Sequence, residues 1–353
     1  MKKKLLFGCL LSGAVLTFLS CARKSDAPLT TPGSYADVEK VLTDAVNNEF
    51  GGKCYAIIQV DGKTVISKGY GGFESTTVRP IASCSKWLSA AVLMSLVDDG
   101  KLQLSDTIGK YLPVFTTYRK GAITIAQLFS HTSGFPGESA QGYESDGFST
   151  LEIAANNIAA NVPLKYAPGS TFEYGGLSMQ IAGRICEVAS GKSWKVLADE
   201  NLFTPLGMAH TGYGLGSNPK IAGGVSSSPD DYMLFLYMIM NKGVAANGKR
   251  VLSEAAIAAM EQPQTSNATT FAYSPYPQVL LTSKGLYGIG NWRDVTTPDD
   301  ILIENCSPGL FGSHPWVNRS KKITGFIFTY IAVNGYTTTM PASRKIRLMV
   351  RSK

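Results

Sequence analysis

Two residues of the right type stand at helical spacing in Pro80-Ile-Ala-Ser-Cys-Ser-Lys-Trp87: Ser83 and Lys86. A short polar turn runs into a long apolar stretch there, so the pair would share one helix face, one turn apart. A free serine is a poor nucleophile and needs a neighbour to take its proton. Lysine can be that neighbour if desolvation or nearby charge lowers its pKa. Unsatisfied backbone N–H groups in a first helical turn also favour an oxyanion formed beside the serine. The same spacing equally suits a capping serine with a solvated lysine, so the local pattern leaves both readings open. A second pair, Ser217 and Lys220, repeats the spacing. Pro219 and a Gly/Asn-rich loop argue against a clean helical turn at that place.

Other constellations are poorer. Spacing leaves a Ser-His-Asp triad open, but no GxSxG elbow occurs, and no HExxH occurs. His210 and His314 are isolated and fit hydrogen-bonded structural histidines. His314 is the better catalytic candidate of the two. Gly243 to Lys249 nearly matches a phosphate loop, but Arg250 replaces the Ser/Thr and the segment joins two helices, which makes it a turn. Cys54, Cys84, Cys186 and Cys306 are widely spaced with no CxxC pair, so no metal site is expected, and sequence cannot pair them. Cys84 adjoins Ser83 but on a helix would point elsewhere, into packing.

The order of motifs goes further than any one of them. Ile81 to Phe135 carries the Ser83-x-x-Lys86 helix and ends in Ile123-Thr-Ile-Ala-Gln-Leu-Phe-Ser-His131-Thr-Ser-Gly-Phe135. Phe172-Glu-Tyr-Gly-Gly176, Pro205-Leu-Gly-Met208, Ala222-Gly-Gly-Val-Ser-Ser227, Tyr287-Gly-Ile-Gly290 and Ser307-Pro-Gly309 follow in sequence. This array, over about residues 35 to 340, resembles the serine β-lactamase-like family of class C β-lactamases, D-alanyl-D-alanine carboxypeptidases and family VIII carboxylesterases. The resemblance implies Ser83 as acylated nucleophile and Lys86 as its proton partner. It makes Tyr174 the tyrosine of the Tyr-x-Asn motif and the HTSGF histidine, His131, mainly structural. Tyr174 could serve as base only if its proton is easily lost, as beside a cationic lysine. The resemblance also implies substrate-binding positions at Gly176, Ser307 and Gly309. The backbone N–H groups of Ser83 and Leu310 become the oxyanion donors.

Two departures narrow the chemistry. Gly176 stands where the motif has Asn, and Ser307 stands where the third motif usually has Lys or His. A neutral Ser307 cannot hold a substrate carboxylate as a lysine would. Both changes suit ester hydrolysis, where the leaving alcohol needs less help, over a β-lactam or D-amino-acid peptide. An inactive envelope-binding protein is the alternative from another class, although Ser83, Lys86 and Tyr174 are all retained. No metal or organic cofactor is implied, and the partner is a small-molecule ester, amide or β-lactam. Substrate walls are expected from the irregular segments Ser139–Thr150 and Gln264–Leu281.

The elements that must position these residues follow from periodicity. Helices are expected over Tyr35–Phe50, Ser83–Asp99, Ile123–Phe129, Leu177–Ala189, Ser193–Phe203, Pro229–Met240, Ser253–Met260 and Pro341–Val350. Tyr55–Val60 and Lys63–Lys68 flank Asp61-Gly62 as a hairpin. Strand-like runs recur at Leu286–Trp292, Asp300–Glu304 and Ile323–Val333. Strands at both ends with helices between them describe an α/β (α+β) fold. It is an antiparallel sheet built from both ends of the chain and flanked by helices, with a mainly helical lobe inserted at roughly 105–215.

Composition sets the compartment. The chain has 353 residues, 44% hydrophobic, enough for a large core. Residues 1–20 combine Lys2, Lys3 and Lys4 with an apolar run from Leu5 to Leu19, too short for a membrane span. Phe18-Leu-Ser-Cys21 resembles a lipoprotein signal, whose cleavage would leave Cys21 lipid-bearing. An ordinary secretory signal with an incidental cysteine is the other reading. Residues 21–34 read as a flexible tether and 35–353 as the hydrolase domain. The expected location is the cell envelope, anchored to a membrane by lipid. Losing three lysines takes the formal charge from +7 to +4. No basic run remains for nucleic acid.

Overall fold

The computed structural model describes residues 34–353 apart from 146, 267–268, 276–285 and 334. The expected signal, Cys21, the tether up to residue 33 and part of the Gln264–Leu281 segment therefore lie outside the described residues.

Cys54–Val60 (β1) and Lys63–Tyr70 (β2) form the hairpin, with Asp61 and Gly62 both at positive φ, as a tight two-residue turn requires. Short strands follow at Arg79–Pro80 (β3), Thr171–Glu173 (β4), Gly212–Tyr213 (β5), Val225–Ser227 (β6) and Thr270–Tyr273 (β7). Trp292–Thr296 (β8), Leu302–Cys306 (β9), His314–Asn318 (β10) and Ile323–Phe328 (β11) complete the set. The main sheet has the order β2-β1-β11-β10-β9-β8, and each pair is antiparallel. Smaller sheets are β3-β6-β5 and the parallel pair β4-β7.

Period-two alternation divides the interior into two cores. Tyr55, Ile57, Phe326 and Phe328 point to one face of the sheet, into the cluster that holds the Ser85–Asp98 helix and the helical middle of the chain. Ala56, Ile58, Ile323 and Ile327 point to the other, against the Ala36–Asn48 and Gly335–Arg351 helices. Every residue from Ser85 to Leu96 is buried, so this helix is apolar all round because protein surrounds it. Tyr35–Lys353 form one compact unit.

Several elements differ from expectation. Leu286–Asn291 is not a strand but a turn, with a bridge from Tyr287 to Trp292, where β8 begins. The Asp300–Glu304 run shifts to β9, and the last strand stops at Phe328. The helix expected over Ser193–Phe203 continues through a π turn, Asp199–Phe203, to Leu206. The closing helix starts at Gly335 and carries Pro341 inside it. Ser139–Thr150 forms turns, but Tyr143 and Glu144 are buried, so the segment is not simply a surface loop.

Candidate active site

Ser83 sits in a 3₁₀ turn, Ala82–Cys84, that leads into the Ser85–Asp98 helix, with Ala82 in the left-handed region at φ 46°. Buried bonds fix that junction. The Val225 N–H donates to Ser85 Oγ (3.1 Å), Tyr232 Oη donates to the Cys84 carbonyl (2.8 Å), and Ser89 Oγ donates to the Ile221 carbonyl (2.7 Å). The Ile221–Val225 segment is thus stitched along the Ser85–Asp98 helix. Ser307 Oγ donates to the Ser83 carbonyl at 3.0 Å from the opposite side. Gly309 is needed because a Cβ there would lie 2.3 Å from the Ile81 carbonyl oxygen and 3.1 Å from Cys84 Sγ.

The spacing of Ser83 and Lys86 becomes a contact. Lys86 Nζ donates to Ser83 Oγ at 3.0 Å and to the Ala222 carbonyl at 3.1 Å, and it lies 4.5 Å from the Tyr174 ring centroid. The lysine is 3% exposed. Burial pushes its pKa down to about 7; the Glu138 charge opposes this and Lys220 adds to it. Burial raises the Tyr174 phenol, and its side-chain hydrogen bond with Ser83 pulls it back only in part. Tyr174 is therefore a neutral phenol at ordinary pH. Its ring stacks on Trp292 at 5.5 Å and tilts against His131 at 4.5 Å. Of the two groups beside Ser83, Lys86 is the one poised to accept a proton.

Glu138, which the motifs did not single out, completes the electrostatics. Gly137 and Gly175 approach so closely that a Cβ on Gly175 would meet the Gly137 carbonyl oxygen at 2.0 Å. That contact brings the segment after His131 against Tyr174. Glu138 Oε1 accepts the Gly176 N–H at 3.1 Å. A Cβ on Gly176 would stand 3.4 Å from both Glu138 Oε2 and Glu144 Cγ. Two carboxyl side chains thus flank position 176. Glu138 opens onto the cavity, but protein on its other sides raises its pKa to about 7. After this desolvation come a hydrogen bond with Glu144 and the charge of Glu144, opposed by Lys86 and Lys220.

A cavity of about 510 Å³ opens over Ser83 and Lys86. Tyr273, Pro275, Trp292, Pro308, Leu310 and Tyr336 give it an apolar side, while Glu138, Glu173 and Lys165 give it a polar one. Lys165 Nζ pairs with Glu173 Oε1 at 2.9 Å. The wall at the third motif is Pro308 and Leu310, with Ser307 and Gly309 behind it; likewise Gly175 lines the cavity and Gly176 does not. None of the described residues of Ser139–Thr150 lines the cavity, whereas Tyr273 and Pro275 come from the other expected wall. Among the described residues, the N–H groups of Ser83 and Leu310 donate to no protein acceptor.

His131 is buried, its Nε2 3.3 Å from Tyr287 Oη. His314 is buried against Arg347, and His210 lies beside Asp231. Cys54, Cys84 and Cys186 are buried free thiols, and the buried Cys306 Sγ donates to Asp294 Oδ2 at 3.7 Å. No group of three or more metal-binding side chains occurs among the described residues. Glu138 and Lys220 were not assigned roles from sequence. The only signal for Glu138 is its place three residues after HTSGF, and the only one for Lys220 is the second Ser-x-x-Lys spacing.

Known proteins resemble this chain in sequence and fold. AmpH of Escherichia coli K12, a D-alanyl-D-alanine-carboxypeptidase/endopeptidase, is 30% identical over 226 residues, covering 60% of this chain and 58% of that protein. Penicillin-binding protein 4 of Amycolatopsis lactamdurans is 30% identical over 245 residues, covering 59% of this chain and 63% of that one. The chain thus spans about three fifths of the length of these curated relatives. Among solved structures, a candidate beta-lactamase from Bacteroides dorei superposes with TM-score 0.82 at 27% identity, over 91% of this chain and all of the other. EstCE1, a hydrolase with promiscuous acyltransferase activity, superposes with TM-score 0.71 at 20% identity, over 90% and 98% of the two chains, a likeness of fold. The Beta-lactamase family model matches residues 53–330, most of the chain, and the protein belongs to that family.

Proposed function

We propose that the protein is a serine hydrolase that works through an acyl-enzyme on Ser83, with carboxylic esters as its best substrates. The observation that carries this reading is the 3.0 Å contact between Ser83 Oγ and a buried Lys86 whose pKa lies at about 7. Neutral Lys86 takes the hydroxyl proton as Ser83 Oγ bonds to the substrate carbonyl carbon. The oxyanion is received by the free N–H groups of Ser83 and Leu310. Collapse breaks the bond to the leaving alcohol, which takes back a proton from Lys86 through the neutral phenol of Tyr174. Water then attacks the acyl carbon by the same route, and Ser83 regains its proton as the acid leaves.

The preference for esters rests on Gly176 and Ser307. The first gives no amide side chain to a substrate, and the hydroxyl of the second is engaged with the Ser83 carbonyl. Amide or β-lactam cleavage is the second reading, favoured by the names of the two curated relatives. Export and lipid attachment at Cys21 rest on residues 1–21 alone.

A fluorophosphonate probe tests the reading. It is expected to label the wild type and not Ser83→Ala, and a short-chain nitrophenyl ester is expected to be turned over while a labelled penicillin fails to acylate Ser83. Penicillin acylation without ester turnover would move the activity to the second reading. No labelling of folded protein would make this an inactive binding protein.

A further inference from the structure

The second Ser-x-x-Lys spacing forms no nucleophile pair, but its lysine stands beside the site. Lys220 borders a groove of about 350 Å³ with Pro80, Tyr213, Leu215, Gly223 and Phe311. The groove adjoins the nucleophile through three chain neighbours. Pro80 precedes the Ser83 turn, Phe311 follows Leu310, and Ala222 accepts from Lys86. Gly224 lets the turn close tightly, since a Cβ there would lie 2.8 Å from the Lys220 carbonyl oxygen. A Cβ built on Gly223 would stand 3.8 Å from both Lys220 Cε and the Ala82 carbonyl carbon, so this turn runs alongside the lysine stem and the residue before Ser83.

The charge of Lys220 is felt inside the site, where it helps to lower both Lys86 and the Glu138 carboxyl. Yet among the described residues Lys220 makes no ion pair and no side-chain hydrogen bond. The other cations of the site are engaged: Lys165 with Glu173, and Lys86 with Ser83 and the Ala222 carbonyl.

We propose that Lys220 receives a carboxylate carried by the substrate, and so supplies from the Lys220–Gly224 turn the charge that the third motif lacks at Ser307. The proposal deepens the hydrolase reading and rests on it for the nature of the reacting bond. A carboxylate suits the groove because Lys220 is its one charged lining residue, a compact ammonium able to neutralise a single negative charge.

The test compares mono-nitrophenyl adipate with its methyl ester, which has nearly the same shape without the charge. Wild type is expected to favour the acid about tenfold in kcat/KM, a ratio that falls to about one in Lys220→Met and persists in Lys220→Arg. Because Lys220 also acts on Lys86, the ratio, not the absolute rate, is the readout. A second arm needs no turnover. Monomethyl adipate should bind Ser83→Ala more tightly than dimethyl adipate by ligand-observed NMR, and the added Lys220→Met should remove the difference. Equal ratios and equal binding with and without the Lys220 charge overturn the proposal. Failure of both esters to react while the binding difference holds overturns the hydrolase reading and supports the role of Lys220.

Discussion

At the scale of single residues, the proposed site depends on a lysine whose charged form is disfavoured by burial. Lys86 as a base works only when neutral, so kcat/KM should rise as pH passes upward through about 7. Lys86 and Glu138 titrate in the same range and influence each other, so the apparent pKa belongs to the pair. Glu138→Gln removes a negative charge that raises Lys86; its acidic limb should move to lower pH in a pH–rate profile. Movement upward would mean that Glu138 acts in some other way. The lysine also carries a stability consequence. Its folded pKa lies below its unfolded one, so folding releases a proton between about 7 and 10.5, and stability increases with pH across that window. Lys86→Met should therefore be inactive yet more stable than wild type at pH 7, by on the order of 1 kcal/mol or more, with the gain shrinking by pH 10. Urea unfolding at the two pH values measures this; a variant less stable at pH 7 would contradict it.

At the scale of elements, the Ser83 turn is held from two sides by segments distant in sequence. Gly309→Ala drives a methyl into the Ile81 carbonyl and Cys84 Sγ, so the third motif must retreat from the nucleophile. The expected result is a folded protein with kcat/KM down by about 10²-fold, since small misplacements of this kind are that costly. Circular dichroism with steady-state kinetics checks it, and full activity would show that the contact yields freely. What could be read beforehand follows from the same local-against-distant division. The Ser83 helix and the hairpin were legible because Lys86 lies one turn from Ser83 and Asp61-Gly62 specifies its own turn. β10 was not: His314-Pro-Trp-Val-Asn318 is buried on both faces, so it shows no alternation, and Pro315 argues against a central strand. Glu138 and Lys220 were equally hidden as functional groups. Only folding brings a loop after His131 and a turn before Ala222 to the same lysine.

At the scale of the whole molecule, the closing helix is locked to the sheet by buried charge. Arg347 reaches Asp294 (2.6 Å), Glu304 and His314 Nε2 (2.6 Å), and Arg344 reaches Asp294 at 2.7 Å. Burial works against ionised Asp294, but Arg347 and Arg344 outweigh it and hold its pKa below the usual carboxylate value. That contribution is present at neutral pH and is lost as acid protonates the folded carboxylate. Arg347→Met leaves two buried carboxylates short of a partner and should cost about 3–5 kcal/mol in denaturant unfolding. A loss under 1 kcal/mol would mean that Arg344 and Arg351 suffice. The sheet has a further consequence, for the order of events during synthesis. β1 sits between β2 and β11, with Ile57 opposite Phe326, so the first strands made wait for the last. While the chain grows from its N-terminus, the hairpin has an unpaired edge, and the face that will cover the Ser85–Asp98 helix is incomplete. A chain stopped before Ile323 would lack β11, the strand that joins the hairpin to β10. Until β11 is in place, the open edge of the hairpin can pair with another chain, which exposes the growing polypeptide to aggregation.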